Sequence, residues 1–244
     1  DTYWKGLSEH YPASKEFINL ENAYFGMHAQ TVQTEFFRYQ AEVNAETSYF
    51  LRERYPSKLA QIQQTLAQFC GVDPAELLIT RNVIEAMNIL IQAYPFREND
   101  EILCATHDYD TVKEIIATVA AQKNLTVRQI SVPLDPESDE QLVALYENSI
   151  TSATRLILLT HMVHRSGQIM PVAKIAAMAR RKQLDVMVDA AQSFAQIEYQ
   201  FPDLNSDFIG VNLHKWLGAP LGTGLLYVRR ERIQELTPLF ANTH

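Results

Sequence analysis

An aspartate and a lysine are the residues of this sequence with the clearest potential for chemistry. Asp189 directly follows the apolar segment 186–188, and Lys215 follows the apolar segment 208–211, beside a histidine, a tryptophan and a glycine-rich turn. A lysine in a partly apolar setting has a lowered pKa and can attack a carbonyl. A buried aspartate needs a cationic partner or hydrogen-bond donors. Taken singly, however, Asp189 could cap a helix and Lys215 could extend to solvent.

Polar residues follow two further apolar segments. Segment 80–86 follows residues 77–79 and leads into a helix, whose free N–H groups would attract an anion. Capping of that helix by Thr80 is the competing explanation. His107 and Tyr109 follow residues 102–104, where a ring could stack on a flat ligand or simply pack over the sheet edge.

Two histidines, His161 and His164, lie three positions apart after residues 156–159. This spacing suggests a metal site, but no carboxylate or cysteine in the segment completes a ligand set. We therefore expect no metal.

The elements that must position these residues alternate between short apolar segments and helices. The apolar segments are 77–79, 102–104, 125–130, 156–159, 186–188, 208–211 and 225–228, and helices are predicted to begin at residues 82, 110, 140 and 172. This order predicts an α/β fold with three αβα layers and a mostly parallel central sheet. In such sheets, ligands bind at the carboxyl ends of the strands.

The chain before this alternation has a different pattern. It predicts an amphipathic helix over residues 31–43 and a second helix that opens at Pro56. We therefore divide the chain into an N-terminal helical or irregular segment, residues 1–67, and a large domain, residues 68–244.

Composition excludes several classes of protein. The 244 residues are 47% hydrophobic and 20% charged, with a formal net charge of −8, which indicates a globular protein without a nucleic-acid-binding surface. No apolar run is long enough for a membrane span. Two cysteines cannot form a disulfide framework, so we expect a reducing, cytoplasmic location.

Together the strand-end residues provide an anion seat, a stacking ring, a carboxylate for a cation, an amide donor and a reactive amine. These are the needs of pyridoxal 5′-phosphate (PLP). The aspartate would keep the pyridine nitrogen protonated, and the lysine would form a Schiff base with the aldehyde.

The sequence resembles the class V aminotransferase family of fold-type I PLP enzymes, nearest to its isopenicillin N epimerase-like branch. The matching segments are 19–26, 80–86, 107–109, 160–171, 189–192 and 212–224. Ser166 stands where the family usually has threonine, and the hydroxyl is retained. The family also has a C-terminal small domain after the segment that matches here, so we expect that domain to be absent from this chain.

The resemblance implies roles for individual residues. Lys215 would be the Schiff-base lysine and proton shuttle, and Asp189 the partner of the pyridine nitrogen. The other implied cofactor contacts are Gln192 at the phenolic oxygen, Tyr109 (or less well His107) on the ring face, Arg81, Asn82, Asn212 and His214 at the phosphate, His161 near the cofactor, and Thr223, with Gly222, in a loop toward a partner subunit.

The resemblance also implies an activity. We expect a PLP enzyme acting at the α-carbon of an amino acid or amine, most simply an aminotransferase. The alternatives are a lyase, desulfurase or epimerase of the same family, or an incomplete fragment that only binds PLP. A homodimer and a small-molecule substrate are the expected partners.

Overall fold

The computed structural model describes residues 2–239, which form a seven-stranded sheet with helices on both faces. The strands are β1 (Leu77–Thr80), β2 (Glu101–Ala105), β3 (Thr126–Ile130), β4 (Thr154–Thr160), β5 (Asp185–Asp189), β6 (Phe208–Asn212) and β7 (Gly224–Val228). The helices are α1 (Thr2–Ser8), α2 (Gln30–Glu46), α3 (Tyr55–Cys70), α4 (Val83–Ala93), α5 (Asp110–Lys123), α6 (Asp139–Ser149) and α7 (Val172–Arg181).

The strand order is β1-β7-β6-β5-β4-β2-β3. Strands β3, β2, β4, β5 and β6 pair in parallel, and β7 lies antiparallel between β6 and β1. Strand β1 therefore points in the same direction as the parallel strands. The predicted mostly parallel α/β sheet is confirmed, and it brings the carboxyl ends of all strands except β7 to one edge.

Alternate residues of each central strand bury into opposite faces of the sheet. On one face Ile157 and Leu159 pack in a cluster with residues of α3, α6 and α7. On the other face Leu156 and Leu158 pack against α4 and α5. This two-sided burial explains why the strand segments are apolar throughout, and it produces the three expected layers.

Element boundaries differ from the sequence prediction at the turns. Asn82, not Thr80, caps α4, because its side-chain oxygen accepts a hydrogen bond from the Glu85 N–H (2.8 Å). The stretch after β7 forms a 3₁₀ helix at Arg230–Glu235. A π-helical turn, Phe50–Arg54, joins α2 to α3. The division after residue 67 falls within α3 and stays a prediction.

Among residues 2–239, no helix combines the length and the apolar character that crossing a bilayer requires.

Candidate active site

A cavity of about 200 Å³ opens at the carboxyl edge of the sheet. Seven of the ten predicted site residues line it: Asn82, Tyr109, Asp189, Gln192, Asn212, His214 and Lys215. The parallel strands and the loops after them bring these residues together from distant parts of the sequence. The remaining three, Arg81, His161 and Thr223, lie outside the cavity.

Asp189 ends the central strand β5 and is only 3% exposed. One carboxylate oxygen accepts a hydrogen bond from the Ala191 N–H (2.9 Å). Burial raises the pKa of Asp189, and the hydrogen bond from Ala191 and the charge of Lys215 act against this rise. A single backbone donor satisfies only part of a buried carboxylate, so the site favours a cation above Asp189.

Lys215 lies in the loop between β6 and β7 and is half-buried. Burial lowers the pKa of its ammonium group, and the negative charge of Asp189 opposes that effect. A lowered pKa increases the fraction of neutral amine, which is the nucleophilic and basic form. Lys215 and Asp189 therefore form an amine and carboxylate pair within one cavity.

The N-terminus of α4 forms one wall of the cavity. Asn212, at the end of β6, accepts a hydrogen bond from the Val83 N–H (2.9 Å) and so connects this helix to the sheet. Strand β7 also approaches the start of α4 closely, since a Cβ atom on Gly224 would lie 2.6 Å from the Asn82 Cα. The helix N-terminus, with its positive dipole end, is therefore held tightly against β6 and β7 and can receive an anion.

The N-terminal segment crosses the other side of the cavity. The Gly26 N–H donates to the His214 carbonyl (2.9 Å), and the Gln192 amide donates to the Ala23 carbonyl (3.0 Å). The Trp216 indole in turn donates to the Gln192 side-chain oxygen (3.0 Å). These bonds seat Tyr24 against the cavity, which it lines.

Two rings form the wall near α5. The rings of Tyr109 and His164 meet edge to face, with centroids 5.2 Å apart, and both residues line the cavity. His107 is half-buried, and its ring nitrogens have no hydrogen-bond partner among residues 2–239. Tyr109, rather than His107, therefore presents its ring to the cavity.

Arg81, His161 and Thr223, the three predicted site residues that do not line the cavity, contact other groups of this chain. The Arg81 guanidinium pairs with Glu85 at the surface, and the Arg81 N–H donates to the same carboxylate (2.6 Å). The His161 ring is buried edge-on against Tyr199. The Thr223 hydroxyl donates to the Pro220 carbonyl (2.6 Å). These three side chains therefore lie outside this cavity, and their roles toward the cofactor or a partner subunit stay predictions.

Sequence reasoning also missed a buried pair behind the cavity. Asp108 is 1% exposed and accepts hydrogen bonds from the Ala105 N–H (2.6 Å) and the Thr160 hydroxyl (2.7 Å). Thr160 ends β4 beside Asp189 and lines the cavity. The polar Thr160 at the end of an otherwise apolar strand was the feature of the sequence that could have indicated this pair.

These residues fit PLP. Its aldehyde, ring nitrogen and phosphate require an amine, a carboxylate and an anion seat, and the cavity offers Lys215, Asp189 and the α4 N-terminus. The partly satisfied carboxylate of Asp189 is the observation that most favours a positively charged ring nitrogen. Within residues 2–239, no cluster of three or more histidine, cysteine or acidic side chains has metal-binding geometry.

Comparisons with known proteins point in the same direction. The chain is 29% identical to isopenicillin N epimerase from Streptomyces clavuligerus, over 82% of this chain and 50% of that protein. A solved C-DES mutant with glycine covalently linked to its PLP cofactor superposes with a TM-score of 0.87 at 26% identity, covering 96% of this chain and 62% of that one. The cystine C–S lyase C-DES with its product cysteine persulfide gives a TM-score of 0.86, also at 26% identity, covering 94% and 61%.

The chain spans about half the length of the curated relatives it matches. The family model described as "Aminotransferase class-V" matches residues 28–244. Because this match covers most of the sequence, the chain belongs to the class V aminotransferase family, whose members depend on PLP.

Proposed function

We propose that this chain is the cofactor-binding part of a PLP enzyme that acts at the α-carbon of an amino acid, with elimination at a carbon–sulfur bond as its reaction. The observation that carries the proposal is the presence of Lys215 and Asp189 in one cavity beside the α4 N-terminus. Transamination was the simpler expectation. The comparisons favour the lyase alternative, because the relatives described above are named for epimerisation and C–S cleavage.

Several side chains would hold the cofactor. Lys215 would bind its aldehyde, Asp189 its ring nitrogen and Tyr109 its ring face. The α4 N-terminus, with Asn82, Asn212 and His214, would bind its phosphate. Gln192 retains a second amide hydrogen beyond the one given to Ala23, and that hydrogen can reach an oxygen acceptor.

The bound cofactor supplies an electron sink for negative charge at the substrate α-carbon. Lys215 takes the proton from that carbon, because its lowered pKa leaves more of the amine neutral. The Asp189 carboxylate, which lines the cavity, would supply the negative charge opposite the cofactor's protonated ring nitrogen. Tyr24 and Phe25 line the cavity and would limit the access of water to the reacting atoms.

Neither cysteine of this chain is placed to act as a thiol nucleophile in the cavity. Burial raises the pKa of both Cys70 and Cys104 to about 12, and neither lines the cavity. A buried, protonated thiol is a poor nucleophile. Elimination requires only a base at the α-carbon and a sulfur leaving group, and Lys215 supplies the base.

The first test is binding of PLP. The purified chain should gain visible absorbance with added PLP, and borohydride reduction should leave a stable adduct that peptide mapping assigns to Lys215. The Lys215→Ala variant should form no adduct. A reduced adduct at another lysine, or none in the wild type, would remove the basis of the proposal.

The second test concerns the reaction. With L-cysteine or cystine, elimination followed by hydrolysis yields pyruvate and ammonia, and the sulfur leaves as sulfide or persulfide. Transamination would instead convert the bound cofactor to its amine form and release a keto acid that retains sulfur. Product analysis by mass spectrometry separates the two, and recovery of only the sulfur-containing keto acid would restore the aminotransferase assignment.

A second candidate function is cofactor binding without turnover by this chain alone. No arginine lines the cavity in the described part of the chain, so no guanidinium is available there to bind a substrate carboxylate. PLP uptake without exchange of the α-proton of added amino acids would favour this candidate. Exchange measured by NMR in deuterated water would exclude it.

We also propose a homodimer in a cytoplasmic setting. Large apolar side chains are exposed on α2 and α3: Phe36, Phe37, Tyr39, Tyr55 and Ile62. An exposed apolar patch of this kind is typical of a protein interface. Sedimentation equilibrium tests the dimer.

Both cysteines are free and buried, which fits the proposed reducing, cytoplasmic compartment.

A further inference from the structure

Two buried carboxylates lie near each other at the carboxyl edge of the sheet, and the proposed cofactor contacts use only one of them. Asp189 lines the cavity, whereas Asp108 is 1% exposed and lies behind the lining. Burial raises the pKa of Asp108 to about 6, and the charge of Asp189 adds to this rise. Asp108 is therefore mostly ionised at neutral pH and lies within electrostatic reach of Asp189.

Thr160 lies between the two carboxylates. It is the register partner of Asp189 where β4 pairs with β5, and paired strands are about 4.8 Å apart. Leu158 and Met187, two residues earlier on the same strands, both pack on the face of the sheet that α4 and α5 cover. Side chains two positions apart on a strand share a face. Thr160 and Asp189 are therefore neighbours on that face, and both line the cavity.

Asp108 takes the hydroxyl proton of Thr160. The Thr160 hydroxyl lies 2.7 Å from Oδ1 of Asp108, and the Thr160 N–H donates to the same oxygen (3.2 Å). The Ala105 N–H donates to Oδ2 (2.6 Å). An ionised carboxylate only accepts hydrogen bonds, so the hydroxyl must be the donor. Having one proton, it cannot donate to Asp189 as well.

Asp189 is left with a single donor among residues 2–239, the Ala191 N–H (2.9 Å). A further donor would stabilise the negative charge of Asp189 and weaken its attraction for a cation. Resting on the proposed function, we propose that Asp108 is a positioning residue for the cofactor. By holding the hydroxyl proton of Thr160, it keeps that proton from Asp189 and leaves the Asp189 carboxylate free to accept a hydrogen bond from the cofactor's ring nitrogen.

The test compares two cofactors that differ only at the ring nitrogen. They are PLP and 1-deaza-pyridoxal 5′-phosphate, in which a C–H group replaces that nitrogen. Both carry the same aldehyde and phosphate, so the ratio of their dissociation constants reports the contact with the ring nitrogen. Absorbance titration measures both constants. Because both ligands bind the same folded state, a loss of stability in a variant cancels from the ratio.

The Asp108→Asn variant should redirect the hydroxyl proton. Its side chain has one acceptor oxygen, which the shorter bond from the Ala105 N–H should keep. The amide N–H₂ then replaces Oδ1 and donates to the Thr160 hydroxyl, whose proton turns to Asp189. The preference for PLP over the deaza cofactor should fall roughly tenfold, the effect expected when a hydrogen bond to a charged group is weakened.

Two further variants separate the proton from the charge of Asp108. Thr160→Val keeps the side-chain shape and removes the hydroxyl, so the preference for PLP should stay within about twofold of the wild type. Asp108→Asn combined with Thr160→Val should regain most of the lost preference, because no hydroxyl proton remains to reach Asp189. Asp110→Asn, which removes a carboxylate from exposed ion pairs, is the matched control and should leave the preference unchanged.

Several results would overturn the inference. A lower preference in Thr160→Val would show that the hydroxyl contacts the cofactor itself. No recovery in the double variant would mean that Asp108 acts by its charge alone, and an unchanged preference in Asp108→Asn would leave it a structural role only. Equal binding of the two cofactors by the wild type would remove the contact that Asp108 is proposed to protect. A wild-type chain that takes up neither cofactor would instead contradict the proposed function.

Discussion

At the scale of single residues, burial controls the chemistry of this site. Asp189 and Lys215 lie in the same cavity, and burial shifts the pKa of each toward its neutral form while their mutual attraction opposes the shift. Asp108, directly behind them, is buried more completely, and its pKa rises to about 6. Asp108 accepts hydrogen bonds from the Ala105 N–H, at the end of β2, and from the N–H and hydroxyl of Thr160, at the end of β4. It therefore links the two strands.

We predict that Asp108→Asn lowers the free energy of unfolding by about 3 kcal/mol, because the new amide N–H₂ would face a backbone donor inside the protein. Urea denaturation at pH 7 measures the change. Asp110→Asn is the matched control, since Asp110 forms only exposed ion pairs and should cost less than about 1 kcal/mol. Equal effects of the two substitutions would contradict a structural role for Asp108.

At the scale of elements, close backbone contacts determine the shape of the cavity. Strand β7 approaches the start of α4 so closely that only glycine fits at position 224. Gly26 is restricted in the same way, because its Cβ would lie 1.8 Å from the Lys215 carbonyl oxygen. Both contacts join segments that are far apart in the sequence, so they hold the helix and the N-terminal segment at the site.

Gly224→Ala should displace the N-terminus of α4 from β7. We expect a loss of about 1–3 kcal/mol in stability from overpacking and a clear decrease in PLP affinity. Denaturation and absorbance titration measure the two effects. Gly6→Ala is the control, because a Cβ at Gly6 would meet no atom within 4 Å. A variant that binds PLP as the wild type does would show that this contact does not shape the anion seat.

At the scale of the whole molecule, buried titratable groups make stability depend on pH. Burial lowers the pKa of His161 from 6.5 to about 4, so the folded state favours the neutral ring. The stabilisation from His161 is complete above pH 6.5 and is lost as the pH falls toward 4. Asp108 acts in the opposite direction, because its raised pKa favours the folded state as the pH falls below about 6.

Comparison with the His161→Phe variant isolates the contribution of His161 to the pH dependence of stability, since phenylalanine retains a ring against Tyr199. Between pH 7 and pH 4, the wild type should lose about 3 kcal/mol of stability relative to this variant. Urea denaturation across this pH range measures the difference. A difference that does not change with pH would mean that His161 is not held neutral by burial.

The order of apolar segments, strand-end polar residues and glycines was sufficient to predict the sheet, its layers and most of the cavity lining. These features depend on local periodicity and on the rule that parallel strands meet at one edge. The positions of Lys215, Asp189 and Asn212 follow from that rule, because each lies at or just after the end of a strand.

Only the tertiary structure decided which side chains turn toward the cavity. Arg81 and His161 follow strands as predicted, yet Glu85 binds the first and the hydrophobic interior buries the second. His164 lines the cavity instead, with its ring edge-on to Tyr109. Sequence patterns predict where an element ends, whereas the partner of a polar side chain depends on which groups the folded chain brings within hydrogen-bond distance.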